Sequence, residues 1–280
     1  INGKKFFYLE KKISQEKYQK IRLLGDKSII AEEKLLRIYP QKNLFSHIIG
    51  QIDDDNNGIS GLEKSYNFEL TKNNEPLNLT VDAYLQHLIK EQLVLFSNIF
   101  HYKGSAAILM DINNGEILSM VSLPDFDLNK REKIFDPNFI NRATKGVYEL
   151  GSVFKTFTLA AALNYGVVDM DTKFENLEKK IWCAGNPISE YDYDIPSSLT
   201  AEEILIRSGN IGSVRIAQKV GAEKFKIFLE NLGIINKIDF DIEEVGTPEN
   251  IVFGKCKLAT SSFGHGISTT LLQLVKAYAI

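Results

Sequence analysis

The 280 residues are 44% hydrophobic and 25% charged, enough apolar material for one large or two moderate domains and too much for wholesale disorder. The 33 basic and 36 acidic residues leave a net charge of −3 without a basic stripe, which argues against a nucleic-acid binder. No apolar run is long enough to span a membrane, and a start at Ile1 rather than Met suggests a natural N-terminus, with any signal or anchor, lying outside this sequence.

Residues 1–75 carry short apolar clusters, Phe6 to Leu9, Ile29-Ile30 and Phe45 to Ile49, separated by charged stretches and the turn-rich run Asp53 to Gly58. They predict an extended module with short strands and helices and a modest core. Within it, Lys11 to Lys20 is interleaved with Glu10 and Glu16 and reads as a solvated helix face. There is no internal repeat. From Leu77 the pattern is globular, so residues 76–280 are expected to form a second domain. Leu79-Thr80-Val81 predicts a short strand, and Asp82 is a good N-cap for a helix with Leu85, Leu88, Ile89, Leu93 and Phe96 at helical spacing. Ala106–Asp111 and Glu116–Ser122 flank Asn113-Asn114-Gly115 and predict a hairpin, with positive φ at both central turn positions.

Leu150 to Leu163 predicts a helix with an apolar stripe of Val153, Phe154, Phe157 and Ala161, stopping near Gly166. Thr200 and Glu203 form a capping box for a helix over Ala201–Arg207, which breaks at Ser208-Gly209-Asn210. Further helices run from Ile211 to Gly221 and over Ala222–Leu232, and Leu271 to Ile280 reads as a helix in mid-course. The mixed order argues for an α+β fold with a mainly antiparallel sheet. Cys183 and Cys256 have no metal-ligand spacing, and whether they pair stays open.

Ser152 and Lys155 stand three residues apart, on one face of the helix and one turn from each other. In the first turn, unpaired N–H groups and the macrodipole favour an alkoxide on Ser152. The same positive end, with Phe154 and Phe157 nearby, disfavours a protonated Lys155, which then serves as a base. The spacing recurs at Ser14 and Lys17, where an N-cap serine before a polar helix is the plainer reading. Ser208 and Asn210 sit where two helices meet and can face one cleft; capping explains them too, Asn210 being a natural N-cap. Ser65-Tyr66-Asn67 repeats that spacing. A P-loop fails because Phe154 stands where Gly should precede the lysine, and neither G-x-S-x-G nor H-E-x-x-H occurs. His47, His87, His101 and His265 read as packing or surface residues rather than ligands.

Longer strings resemble the class B penicillin-binding proteins. Asn141-Arg142-Ala143 and Tyr148 to Thr158 are similar to the nucleophile block, Ser208 to Gly212 to the second block, and Ser262 to Ser268 to the segment before the third. Arg37 to Pro40, His47 to Gly50 and Gly61 to Lys64 resemble the N-terminal module. The resemblance implies a penicillin-binding transpeptidase fold, an antiparallel sheet flanked by helices, behind a partial N-terminal pedestal or dimerisation-type module. It implies a serine D,D-transpeptidase that cross-links peptidoglycan: Ser152 attacks the D-Ala-D-Ala stem peptide, D-alanine leaves and a neighbouring amine takes the acyl group. Lys155 is then the general base, Ser208 relays the proton to the leaving amine, and Asn210 holds the substrate amide. β-Lactams acylate the same serine. No cofactor or metal is implied. The implied partners are stem peptides, β-lactams and other division and cell-wall synthesis proteins, and the implied location is the periplasmic side of the bacterial inner membrane.

The strings are most similar to the septal subgroup, with the elongation-specific subgroup as alternative. A serine β-lactamase or β-lactam sensor would not need residues 1–75, and a non-catalytic septal scaffold would not need Ser152, Lys155, Ser208 and Asn210. The family's third motif, Lys-Thr-Gly, is absent. The resemblance therefore implies a chain truncated at both ends, with C-terminal strands missing, impaired or inactive by itself and exposing an unpaired sheet edge.

Overall fold

Ser14 accepts a hydrogen bond from the Lys17 N–H at 3.2 Å and starts α1 (Gln15–Leu23), which buries no residue, as its polar composition predicts. A computed structural model describes residues 6–10, 13–33, 36–72, 75–130, 136–249, 253 and 255–280. The chain separates into two compact units, Ile1–Ile38 and Tyr39–Ile280. Within the second unit, Ile48 of α2 (Ser46–Ile49) and Leu62 of α3 (Gly61–Ser65) pack in one cluster with Ile117, Met120 and Leu272. α4 (Asn67–Lys72) follows α3 directly.

Asp82 caps α5 (Ala83–Phe100), accepting from Leu85 N–H at 2.8 Å. The expected strand at Leu79–Val81 does not form. That segment meets its neighbour through Thr80 Oγ1 on the Ile117 carbonyl and Asp82 N–H on the Leu118 carbonyl, too few bonds for a ladder before the helix begins. The expected apolar stripe of α5 is only partly covered, since Leu88 and Phe96 are exposed. Its buried residue is Gln86, fully satisfied by Met120 N–H, the Ser119 hydroxyl and the Met120 and Leu44 carbonyls. Among the described residues, no helix is long and apolar enough to cross a membrane.

β1 (Ser105–Met110) and β2 (Ile117–Leu123) form the expected antiparallel hairpin. Its turn differs from expectation. Gly115 alone takes a positive φ, of 78°, because the connection is longer than two residues and closes through Gly115 N–H on the Asp111 carbonyl. Beyond it come β3 (Val147–Glu149), α6 (Lys155–Asn164), β4 (Lys173–Phe174), β5 (Lys180–Cys183), β6 (Asn186–Ser189) and β7 (Leu199–Thr200). The chain continues with α7 (Ala201–Ile206), α8 (Asn210–Val220), α9 (Ala222–Asn231), α10 (Lys255–Ser261), β8 (Ser268–Thr270) and α11 (Leu271–Ala279). β3 pairs with β8, β4 with β7 and β5 with β6, all antiparallel, so the fold is α+β as expected.

The larger core lies between α6, α8 and α9. Phe154, Phe157, Ile211, Val214, Phe225 and Leu229 are all buried there, and the Phe154 ring meets Phe157 and Phe225 edge-on at 5.5 and 6.5 Å. The Thr200–Glu203 capping box is present. Cys183 and Cys256 are joined in a disulfide across 73 residues, tying the β5–β6 hairpin to α10 and answering the question the spacing left open.

Candidate active site

Gly151, at φ 58°, turns the chain from β3 into the site, and its N–H donates to the Gly264 carbonyl at 3.3 Å. A Cβ on Gly264 would lie 2.0 Å from the Gly151 oxygen, so the two backbones can meet only because residue 264 lacks a side chain. A 3-10 turn, Gly151–Phe154, then carries Ser152 and leads into α6. The helix expected from Leu150 thus begins with a tighter turn, whose first N–H groups have no intrahelical partner. Ser152 is exposed, and Lys155 is 3% exposed. Just before that turn, at the end of β3, Glu149 accepts from Gly266 N–H at 2.8 Å and pairs with His265 Nδ1 at 3.1 Å.

The facing wall is the break between α7 and α8. Ser208 has φ 54°, a left-handed conformation that costs a non-glycine residue roughly 1–2 kcal/mol. A Schellman-type pair of bonds holds it there: Ser208 N–H to the Leu205 carbonyl at 3.0 Å and Gly209 N–H to the Ile204 carbonyl at 2.9 Å. The Lys155 ammonium donates to Ser208 Oγ at 2.9 Å and also to the Ser208 carbonyl. Asn210 is not the N-cap that its sequence position suggests. Gly209 holds that place, while Asn210 opens α8 and its Nδ2 donates to the Ser189 carbonyl at 2.9 Å.

The cap's work falls to Glu190, which sequence reasoning missed. It is buried at 5% exposure, and its carboxylate accepts from Asn210 N–H at 2.6 Å and Ile211 N–H at 2.9 Å. The signal was period-two alternation: Ile188 and Glu190 are both buried around a half-buried Ser189, so a charged residue stands at an inward position. Burial lowers the Lys155 pKa to about 8, and the negative charge of Glu190 opposes that shift.

An open cleft of about 380 Å³ is lined by Ser152, Lys155, Ser208 and Asn210 together, and also by Glu149, Tyr191, Asp192, Arg207 and His265. All four residues singled out in the sequence therefore share one cavity. Among the described residues, Ser152 and Lys155 do not hydrogen-bond to each other; the amine is engaged by Ser208. A buried amine that exchanges a proton near pH 8, between two hydroxyl-bearing walls, can carry a proton from one to the other.

The other copies of these spacings are structural. Lys17 pairs with Glu10, Ser65 Oγ accepts from Glu243 N–H, and Asn67 Oδ1 accepts from Gly58 N–H. His47 is buried with Nε2 2.9 Å from the Pro124 carbonyl, His87 sits exposed beside Glu91, and His101 ends α5. Only His265 of the four lines the cleft.

The chain is 30% identical over 259 residues to the probable peptidoglycan D,D-transpeptidase FtsI of Caulobacter vibrioides, covering 91% of this chain and 44% of that protein. It is 29% identical over 310 residues to stage V sporulation protein D of Bacillus subtilis, covering 95% of this chain and 46% of that one. The chain thus spans about half the length of the curated relatives it matches. Its fold is like that of penicillin binding protein 3 from Mycobacterium tuberculosis, with a TM-score of 0.78 at 23% identity over 87% of this chain and 58% of that one. Residues 105–280 match the penicillin binding protein transpeptidase domain, and the chain belongs to that family.

Proposed function

We propose that this chain carries the acyl-transfer centre of a peptidoglycan D,D-transpeptidase, with Ser152 as nucleophile. The supporting observation is the buried Lys155 amine, with its pKa near 8, hydrogen-bonded to Ser208 in the cleft that Ser152 also lines. Ser152 Oγ attacks the carbonyl of the penultimate D-alanine as its proton passes to neutral Lys155. Lys155 hands a proton through Ser208 Oγ to the leaving amine, D-alanine departs, and an acyl ester remains on Ser152. The amine of a second stem peptide attacks that ester, its proton returns by the same route, and the cross-link leaves Ser152 free. Asn210, fixed by Ser189 and Glu190, orients the stem's backbone amide. β-Lactams present a strained amide to the same serine.

The septal role is proposed on the resemblance of the motif strings and on the FtsI name of the Caulobacter relative. It places the site on the periplasmic face of the inner membrane, beside other division proteins. Residues 1–75 are proposed as part of the pedestal-type module and 76–280 as part of the transpeptidase domain. The test uses a pentapeptide stem ending in D-Ala-D-Ala together with an amine acceptor. D-alanine release with a cross-linked product is expected, both lost in Ser152→Ala. Penicillin hydrolysis without cross-linking would indicate a β-lactamase instead. Depletion in the source bacterium is expected to give filaments, and rounded cells would indicate the elongation role.

A further inference from the structure

Glu190 is a buried carboxylate with both oxygens committed to a single piece of backbone. Oε2 takes the Asn210 N–H and Oε1 the Ile211 N–H, the opening pair of α8. One residue earlier, the Ser189 carbonyl takes the Asn210 side-chain amide at 2.9 Å. The end of β6 thus grips Asn210 from both its main chain and its side chain. Ser208, two residues upstream, sits in a left-handed conformation that the local sequence does not favour, and Lys155 donates to it. A charge removed from water in this way is costly unless fully bonded, and a cap on a short helix can be supplied more cheaply by a serine or an asparagine. The arrangement makes sense if the charge serves the groups around it.

We propose that Glu190 is a positioning residue of the acyl-transfer centre, its carboxylate holding the Ser208–Asn210 turn in register with Lys155 and balancing the lysine's charge. This rests on the reading of Ser152 and Lys155 given above. Two consequences separate it from a merely structural cap. Loss of the carboxylate loosens Asn210 and Ser208, which lowers the maximal acylation rate. Loss of its charge removes the field that favours the ammonium form of Lys155, so the lysine becomes neutral at lower pH and the acid limb of the rate profile moves to lower pH. The other charged groups lining the cleft are Glu149 at the end of β3, His265 before β8, Arg207 after α7 and Asp192 beyond Glu190. All four remain when Glu190 is changed, so they cannot mimic the shift.

The experiment compares wild type, Glu190→Gln and Glu190→Asp in the natural polypeptide as the cell makes it. It measures the second-order rate of acylation by a fluorescent penicillin from pH 6 to 9.5, with a thermal melt on each protein. Gln offers one oxygen where two N–H groups need acceptors. Its plateau should fall about 10- to 100-fold, as misplacement of supporting groups does elsewhere, with the acid limb at lower pH. Asp keeps the charge on a shorter arm, and its limb should coincide with wild type while the plateau falls less. A Gln variant with wild-type plateau and limb overturns the proposal, as does one with a lower melting point and an unmoved limb. If the Gln variant does not fold, Asp decides: a reduced plateau with the wild-type limb supports the proposal, and a wild-type plateau overturns it. Failure of the wild type itself to acylate at Ser152 would instead sink the reading on which the proposal rests.

Discussion

Raising the pH should switch the site on. Lys155 is 3% exposed beside Phe154 and Phe157, and its pKa lies at about 8, lowered by burial against the opposing pull of Glu190. One unit below that value, at pH 7, about 9% of the lysine is neutral, against about 0.03% for an unperturbed lysine near 10.5, so the fold makes roughly 300-fold more base available. If neutral Lys155 takes the Ser152 proton, the rate of acylation by a penicillin should rise about tenfold per unit below pH 8 and level off above it, a span of about 90-fold from pH 6 to 9. Stopped-flow quenching or timed gel fluorescence with a labelled penicillin measures this directly. A flat profile, or one still climbing at pH 10, would refute the reasoning. The sign for stability follows from the same shift. The folded pKa lies below the unfolded one, so between about pH 8 and 10.5 the unfolded chain holds more protons and stability should rise with pH.

Ser208→Gly should melt higher than Ser208→Ala, by about 1 kcal/mol, because glycine accepts φ 54° freely while alanine does not. Both should acylate slowly, since Lys155 loses the hydroxyl it donates to, and equal melting points would contradict the strain. Changing both Cys183 and Cys256 to Ser should cost about 2–4 kcal/mol in denaturant unfolding, given the 73-residue separation they close. It should also slow acylation, because the freed β5–β6 hairpin leads directly into Ser189 and Glu190. Unchanged acylation would show that the hairpin needs no tether to α10.

Local patterns in the sequence suffice where a single turn of chain contains the whole reason. Ser152 and Lys155 share a turn, Thr200 and Glu203 close a capping box, and Ser208-Gly209-Asn210 interrupts two helices, each as expected. What escaped depends on chain brought from elsewhere. Lys155 stands one turn from Ser152, but the hydrogen bonds of its amine go to Ser208, 53 residues on. Asn210 lost its capping role to Glu190, 20 residues upstream, because an inward carboxylate at the end of β6 reaches two N–H groups that its own short side chain does not serve. The same holds at larger scale. Ile48 and Leu62 share a core cluster with Met120 of β2 and Leu272 of α11, partners that no local pattern names. Asn113-Asn114-Gly115 gave the hairpin correctly and its turn incorrectly, since the spacing that selects a turn type is set by the register of β1 on β2.

The central claim is that Ser152 forms the acyl-enzyme. The direct measurement is the mass spectrum of peptides from penicillin-treated natural polypeptide, alongside its Ser152→Ala and Ser14→Ala forms. One covalent adduct on the peptide holding Ser152 is predicted, absent in Ser152→Ala and retained in Ser14→Ala, while an adduct on any other peptide, or one that survives Ser152→Ala, would contradict it.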